Sequence, residues 1–270
     1  MSTLWPISIA ILSTCILGCA RGPKENSATA RAASAPIPCR INIINDEYTP
    51  EFFVNESALE VPSQNPNLRK VYVAMGCFWG SEALMGSADG VRSTRVGFSG
   101  GTLPDPTYSR IGDHAETVEI LYDPKVTNFE TLIQHFWQNH NARAKPIFRQ
   151  YASAIFCLDS EQSELARRTR DRWQESSGKE RIQTAILPFE RFYPAGEAHQ
   201  KHYLQQDPKL LNGLPADPER LQTRLATKLN SIAARSGERT ELEKSLDRFG
   251  IDKRAQQALF RRASWPEASP

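Results

Sequence analysis

An apolar run that leads into a glycine-flanked cysteine constrains the fold of this chain most strongly. Residues 71–75 (VYVAM) predict a short buried strand, and residues 81–85 (SEALM) predict the opening of a helix. The segment between them, GCFWG at 76–80, therefore places Cys77 at a strand-to-helix turn. Backbone N–H groups at a helix N-terminus favour a thiolate, and two adjacent aromatic rings can wall a small apolar pocket. The alternative is an inert cysteine packed in a core.

Strand and helix patterns alternate over residues 70–205, which are long enough to enclose one hydrophobic core. Capping patterns predict one helix after Thr127 and another after Asp159 that ends near Ser176. Strands are predicted near 71–75, 93–98, 115–122, 151–158 and 182–188. This order of elements predicts an α+β domain built as a two-layer sandwich.

The N-terminal residues predict export from the cytoplasm. Residues 5–17 carry no charged side chain and precede Cys19, which is typical of a lipoprotein signal at 1–18 with lipidation of Cys19. No Lys or Arg precedes the apolar run, so an uncleaved membrane anchor is the alternative. Residues 19–40 predict a flexible tether, and 41–69 remain unassigned. The expected location is the bacterial cell envelope, facing the periplasm or the exterior.

Residues 206–270 predict a helical C-terminal extension. A helix is expected from Asp217, and further helices near 239–248 and 252–263. The first helix would carry one apolar stripe, formed by Leu221, Leu225, Leu229 and Ile232. Such a stripe is typical of packing against the parent domain or within a small helical hairpin. The net charge of +2 gives no reason to expect nucleic-acid binding.

Several further segments, in order along the chain, carry a resemblance to one family. They are GFSGG at 97–101, PTY at 106–108, HAE at 114–116, YDP at 122–124, FWQNH at 136–140, QYASAI at 150–155 and FYPA at 192–195. Together with GCFWG at 76–80 they make residues 70–204 similar to the A-type peptide-methionine sulfoxide reductases. The resemblance implies a ferredoxin-like core and thiol-dependent reduction of methionine (S)-sulfoxide in proteins to methionine.

The resemblance also implies roles for individual residues. Cys77 would attack the sulfoxide sulfur and become a sulfenic acid, a step in which a thiol reduces a reversible lesion. Phe78 and Trp79 would hold the methyl group of the substrate. The sulfoxide oxygen would be held by Glu116, Tyr108 and Tyr151. No bound cofactor is implied, and a thioredoxin-like or other dithiol would supply the electrons.

Glu116 has independent support from the alternation of residues 114–123. On a strand it shares a face with Val118 and Ile120, where lost hydration would raise its pKa and allow it to donate a proton. The alternative is a bulged strand with an ordinary exposed carboxylate. His114 and His199 are interpreted as structural, because nothing in their spacing brings either of them to Cys77.

Two loops depart from the family pattern. Residues 109–113 and 141–150 are shorter than in the family, and the Gly-Asn-Asp stretch that helps shape its pocket is missing. Arg143, Lys145 and Arg149 stand in that region instead. The substrate preference is therefore open. Two other functions remain as alternatives: a module that binds oxidised methionine with little turnover, and a different thiol enzyme, such as a peroxide-reducing one.

The remaining cysteines decide how the thiol could be regenerated. The C-terminal extension contains no cysteine, so the family's usual C-terminal recycling cysteine is missing. Cys157 lies six residues beyond Tyr151, about 20 Å along a strand and too far for a disulfide with Cys77. Cys39 is the possible resolving thiol, a structural Cys39–Cys157 disulfide is a second option, and an external thioredoxin-like protein is a third. No spacing of cysteine and histidine predicts a metal site.

Overall fold

The computed structural model describes residues 37–40, 51–176 and 178–265, and these residues form eight strands and nine α-helices. The strands are β1 (Ile37–Arg40), β2 (Glu51–Val54), β3 (Arg69–Met75), β4 (Val91–Ser99), β5 (Ala115–Tyr122), β6 (Ser153–Cys157), β7 (Ala185–Pro188) and β8 (Phe192–Pro194). The helices are α1 (Glu56–Leu59), α2 (Phe78–Ser87), α3 (Phe129–Gln138), α4 (Ser160–Ser176), α5 (His202–Gln205), α6 (Pro208–Leu211), α7 (Arg224–Ala233), α8 (Arg239–Arg248) and α9 (Lys253–Arg262).

The central feature is a six-stranded mixed sheet with the strand order β7-β6-β3-β5-β4-β8. Neighbouring strands are antiparallel except β6 and β7, which are parallel. The five predicted strands are confirmed as β3 to β7, and the short edge strand β8 was not predicted. The α+β class is therefore confirmed. β3, which leads to Cys77, lies inside the sheet between β5 and β6.

One face of the sheet packs against α2, α3 and α4. The shared core includes Val73 and Ile120 from the strands and Phe78 and Phe136 from the helices. α3 contributes an amphipathic face, because its apolar residues recur at helical spacing. Its N-cap is Asn128, whose side chain accepts from the Thr131 N–H, rather than the predicted Thr127. Asparagine one position later satisfies the same unpaired amides.

α4 follows the predicted pattern at both ends. Asp159 Oδ1 accepts from the Gln162 N–H at 2.8 Å, and Gln162 Oε1 accepts in return from the Leu158 N–H at 3.0 Å. These bonds satisfy amides that a helix N-terminus leaves without partners. The helix ends at Ser176, and Gly178 adopts a positive φ of 122° just after it.

The C-terminal helices form a second apolar cluster that includes Leu225, Leu229 and Leu259. α7 packs on α2, where the Ser231 hydroxyl donates to the Ala83 carbonyl at 2.6 Å. The prediction that this helix begins at Asp217 is wrong. Thr223 caps it instead, and the segment before it forms the 3-10 turn Arg220–Gln222. The predicted helices near 239–248 and 252–263 are confirmed as α8 and α9.

The predicted signal at 1–18 and its lipidation residue Cys19 lie outside the described residues, as does most of the predicted tether. The last four residues of that tether form β1, which pairs with β2, so the tether is shorter at this end than predicted. β2 and α1 occupy part of the unassigned range 41–69. A helix with the length and apolarity needed to span a bilayer is absent from the described residues.

Candidate active site

Cys77 lies at the strand-to-helix turn that the sequence predicts. β3 ends at Met75, Gly76 turns the chain with a φ of 94°, and Cys77 is the N-cap of α2. A positive φ of this kind is inexpensive only for glycine, which explains the residue before the cysteine. The side chain of Cys77 is a free thiol and is exposed to solvent. The inert core cysteine is therefore excluded.

The charge of the Cys77 thiol depends on opposing influences. Loss of hydration raises its pKa, the amides of Trp79 and Gly80 lower it, and the negative charge of Glu116 raises it further. The pKa of Cys77 is above its ordinary value when all these influences act together. The amides at the helix N-terminus favour the thiolate as expected, but burial and Glu116 outweigh them. At neutral pH the resting site holds a protonated thiol.

Glu116 is the second residue of β5 and is 1% exposed, as its alternation with Val118 and Ile120 predicts. One carboxyl oxygen accepts from the Phe78 N–H at 2.9 Å, and the other accepts from Gln150 Nε2 at 3.2 Å. Burial raises the pKa of Glu116, and these two donors oppose part of that shift. Because Phe78 directly follows Cys77, the first bond places the carboxyl beside the start of α2.

Phe78 and Trp79 diverge from the turn. Phe78 is fully buried in the core, whereas Trp79 is half-buried at the surface, with ring centroids 6.3 Å apart. The ring of Tyr108 lies 6.1 Å from Phe78 and 6.2 Å from Trp79. Burial raises the pKa of Tyr108, and so do the charges of three nearby groups: Glu116, Tyr151 and Cys77. The predicted site residues therefore lie together around one exposed thiol.

The shortened loop before β5 holds Tyr108 in a tight turn. The Thr107 N–H donates to the Arg110 carbonyl at 3.2 Å, and the Arg110 N–H donates back at 3.0 Å. Tyr108 projects from this turn and is 43% exposed. His114 follows it as a structural residue, as predicted, since its ring nitrogens bond to the Gly101 N–H and the Leu103 carbonyl.

The placement of Tyr151 corrects one prediction. It does not begin a strand but ends the 3-10 turn Arg149–Tyr151, and β6 starts at Ser153. The turn forms because the Tyr151 N–H bonds to the Phe148 carbonyl and the Ala152 N–H to the Arg149 carbonyl. This i to i+3 bonding keeps Tyr151 at the surface, where it is exposed and near Tyr108.

Two histidines belong to the site although the sequence did not place them there. The ring of His199 lies 4.3 Å from Tyr108, and the ring of His202 stacks on Trp79 at 3.9 Å with an interplanar angle of 7°. Burial lowers the pKa of both imidazoles, which favours their neutral forms. The interpretation of His199 as remote from Cys77 is wrong. In the sequence, the family-like segment FYPA at 192–195 was the only indication that residues near His199 belong to the site.

A buried ion pair holds these histidines against α2. The Lys201 ammonium donates to Glu82 Oε1 at 2.7 Å and to the Thr94 carbonyl at 2.6 Å, and both charged side chains are fully buried. The Lys201 N–H also donates to Glu82 Oε2 at 2.8 Å. Lys201 lies between His199 and His202, and Glu82 lies on the helix that Cys77 caps. The pair therefore fixes the position of the histidine segment relative to the thiol.

The second shortened loop, 141–150, sits on the other side of the site. Arg143 Nε donates to the Glu180 carbonyl at 2.7 Å, which ties this cation to the backbone of residue 180. Lys145 and Arg149 are exposed. At the end of the loop, Gln150 reaches Glu116, a contact that the sequence did not predict.

The remaining described thiol is remote from Cys77. Cys157 is a free, buried residue at the end of β6, and burial raises its pKa to about 11. Phe156 pairs with Tyr72 in β3, so Cys157 lies beside Val71, six residues or about 20 Å along the strand from Cys77. A Cys39–Cys157 disulfide is not formed, since Cys157 is free. The backbone of Cys39 pairs with Phe52 between β1 and β2, and its resolving role stays a prediction.

The described residues contain no cluster of His, Cys, Asp or Glu that could hold a metal ion. The site combines an exposed thiol, a buried carboxyl with a raised pKa and a wall of aromatic rings. Set on an α+β fold, this arrangement places the protein in the class of oxidoreductases.

Comparison with known proteins identifies the family within this class. The family model described as "Peptide methionine sulfoxide reductase" matches residues 69–228. The chain is 43% identical over 179 residues to a peptide methionine sulfoxide reductase of Drosophila melanogaster, covering 66% of this chain and 73% of the relative. It is 39% identical over 155 residues to the enzyme MsrA of Methanococcus maripaludis, covering 54% of this chain and 98% of the relative.

Among solved structures, the reduced form of Mxr1 from Saccharomyces cerevisiae is similar with a TM-score of 0.49 and 26% identity, covering 54% of this chain and 88% of that one. The chain belongs to the peptide methionine sulfoxide reductase family. It is an oxidoreductase that reduces methionine sulfoxide.

Proposed function

We propose that Cys77 reduces methionine (S)-sulfoxide in proteins through a sulfenic acid. The Cys77 sulfur attacks the sulfoxide sulfur, the S–O bond breaks, and the oxygen leaves with the cysteine. The balance is Cys–SH plus sulfoxide giving Cys–SOH plus thioether, so sulfur in the substrate is reduced while the cysteine is oxidised. The observation that carries this proposal is the buried carboxyl of Glu116, bonded to the residue that follows the exposed thiol.

Glu116 supplies the proton that this step requires. A carboxyl whose pKa burial raises is available in its protonated form nearer to neutral pH, where it can donate to the developing negative charge on the sulfoxide oxygen. The phenol of Tyr108 lies near this carboxyl and near Tyr151, and the two phenols would hold the oxygen as further donors. The S preference is the family's and rests on the resemblance.

The aromatic residues fit the methyl group of the substrate. Phe78 closes the inner side of the pocket, and Trp79 with Tyr108 forms its outer wall. An apolar wall gains free energy when it excludes water from a methyl group. Neutral His202, stacked on Trp79, supports that wall from behind.

Regeneration of the thiol requires a second thiol, and we propose a thioredoxin-like donor with Cys39 as a possible resolving residue. Cys157 lies about 20 Å along the strand from Cys77, too far for a direct disulfide, which needs Cα atoms within about 7 Å. The exposure of Cys77 supports direct access for an external dithiol. The regenerating reaction releases the sulfenic oxygen as water while the dithiol becomes a disulfide.

We further propose that the protein is exported and held in the cell envelope by a lipid on Cys19, as the sequence at 1–19 predicts. Replacement Cys19→Ala is expected to release the protein from the membrane fraction. Continued attachment of the variant would favour an uncleaved anchor.

We also propose that the catalytic domain has a ferredoxin-like core followed by a helical extension. The order of β3, α2, β4, β5, α3 and β6 along the chain, with β3 and β5 central in their sheet, supports a ferredoxin-like two-layer core. Helices α7 to α9 support a helical extension after it.

The sulfenic acid can be tested without any reductant. Mixing the reduced full-length chain with excess methionine sulfoxide peptide should release one methionine peptide per Cys77 and add one oxygen to that residue by mass spectrometry. A dione trap should capture the sulfenic acid. If methionine forms without any change at Cys77, the proposed intermediate is wrong.

A further inference from the structure

An exposed rim borders the entrance to the Cys77 site. We define the rim loop as residues 145–149, which carry the sequence KPIFR. Ile147 is 91% exposed and Phe148 is 63% exposed, the highest values among the large apolar side chains of the described residues. Two adjacent apolar side chains left in water are costly, and such surfaces in soluble proteins mark sites of interaction.

The rim loop is joined directly to the reacting groups. Gln150, the next residue, donates to the Glu116 carboxyl at 3.2 Å. The ring of Tyr151 lies 6.5 Å from Phe148, and Tyr151 is close to Tyr108. An extended polypeptide advances about 3.3 Å per residue. A chain with its oxidised methionine at Cys77 therefore reaches the rim with its next few residues.

The charge of the rim is positive. Lys145 and Arg149 are exposed, and neither has an ion-pair partner within the described part of the chain. Arg143 bonds to backbone carbonyls at the base of the loop, where it anchors the rim. A pair of unneutralised cations on either side of an apolar pair favours a partner with acidic and apolar groups side by side.

We propose that the rim loop is a docking surface for the polypeptide segment that flanks the oxidised methionine. It selects segments with an apolar side chain next to the methionine sulfoxide and an acidic side chain beyond it. Ile147 and Phe148 cover the apolar side chain, while Lys145 and Arg149 attract the acidic one. This inference rests on the proposed function, since it names the substrate class of the same site.

The apolar contribution is tested with the full-length chain and dithiothreitol, comparing a peptide that has leucine beside the methionine sulfoxide with N-acetylmethionine sulfoxide. The double replacement Ile147→Ser and Phe148→Ser should lower kcat/KM for the peptide about tenfold and leave the small substrate within about twofold. Leu158→Ser is the matched control, as an exposed apolar residue beyond the distant end of β6. An equal loss for both substrates, or no loss for the peptide, overturns the proposal.

The charge contribution is tested with peptides that carry aspartate or lysine two residues from the sulfoxide. The unaltered protein should have the higher kcat/KM for the aspartate peptide. The replacements Lys145→Glu and Arg149→Glu should make kcat/KM higher for the lysine peptide, by about threefold or more. Lys125→Glu, beyond the opposite end of β5 from Glu116, is the matched control. A preference that survives charge reversal overturns this part of the proposal.

Binding separates this inference from the proposed function. A fluorescent sulfoxide peptide is titrated against the full-length Cys77→Ser variant, with and without the rim replacements. Weaker binding caused by the replacements supports docking even if the unaltered protein shows no turnover. If the replacements slow turnover only when a protein dithiol replaces dithiothreitol, the rim receives the reductant and the proposal fails.

Discussion

Replacement of Lys201 by methionine tests how the histidine segment is held against α2. The change keeps the length of the side chain but removes the ammonium that donates to Glu82 and to the Thr94 carbonyl. Glu82 is then a carboxylate in a site with no exposure to water. Loss of one partner of a buried ion pair costs about 3–5 kcal/mol. For a domain of this size the melting temperature should fall by about 6–20 °C.

A second replacement shows whether the charge is responsible. Glu82→Gln, added to Lys201→Met, removes the unpaired charge and still allows the amide oxygen to accept from the backbone N–H of residue 201. The double variant should therefore recover at least about half of the lost stability, because a buried pair can be replaced by neutral groups at little cost. Urea unfolding of the unaltered protein, the two single variants and the double variant gives four free energies of unfolding. Their differences give the interaction energy between residues 82 and 201.

Activity provides a separate readout of the same perturbation. His199 and His202 lie two positions before and one after Lys201, and their rings contact Tyr108 and Trp79. Loosening the segment should raise KM for a sulfoxide peptide more than it lowers kcat. If the unfolding free energy of Lys201→Met lies within about 1 kcal/mol of that of the unaltered protein, or if the losses in the double variant are strictly additive, the buried pair does not hold the segment as described.

Three further predictions follow from the site and its surroundings. Glu116→Gln should slow single-turnover methionine release by about 10²–10⁴-fold, and it should abolish the fall in rate as pH rises through the raised pKa of Glu116. The variant should lose no stability at pH 8, because burial makes the carboxylate of the unaltered protein unfavourable there. The Lys228 ammonium donates to the Gly86 and Ala88 carbonyls, and burial lowers its pKa to about 7, so this side chain binds fewer protons in the folded than in the unfolded state. The unaltered protein should therefore gain stability relative to Lys228→Met as pH rises from about 7 to 10. A difference in unfolding free energy that stays constant with pH in urea unfolding would contradict this. Cys157→Ala should leave turnover with dithiothreitol or thioredoxin within about twofold, and a tenfold loss would show that this thiol takes part.

The local parts of the site follow from the sequence because neighbouring residues determine them. Residue alternation alone places Glu116 on the apolar face of its strand, and burial raises its pKa as expected. The apolar run and the glycine before Cys77 together specify a strand, a turn and a helix. These features depend on periodicity and on one backbone conformation, which a sequence reveals directly.

The parts that the sequence did not reveal depend on distant partners. Lys201 pairs with a glutamate 119 positions earlier, and no local pattern connects them. The same pair holds the segment that carries His199 and His202 against α2. The prediction that Tyr151 begins a strand is wrong for a different reason. Its stretch has the composition of a strand, but hydrogen bonds between residues three apart fold residues 149–151 into a 3-10 turn.

The start of α7 shows two local signals in competition. Pro218 favours a helix start, yet the segment around it forms only a 3-10 turn, and the hydroxyl of Thr223 caps the longer helix. Leu221 keeps its place in the apolar cluster despite the change of element. The sequence therefore predicts that the apolar stripe packs in the core, but it does not predict the residue at which α7 begins.

Release of methionine from a sulfoxide peptide shows directly whether the Cys77 thiol reduces methionine sulfoxide. The full-length protein and its Cys77→Ser variant are compared with dithiothreitol as the reductant, after both are shown to be folded. We expect many turnovers for the unaltered protein and none for the variant. Turnover by Cys77→Ser, or no methionine from a folded protein with a titratable Cys77, would contradict this expectation.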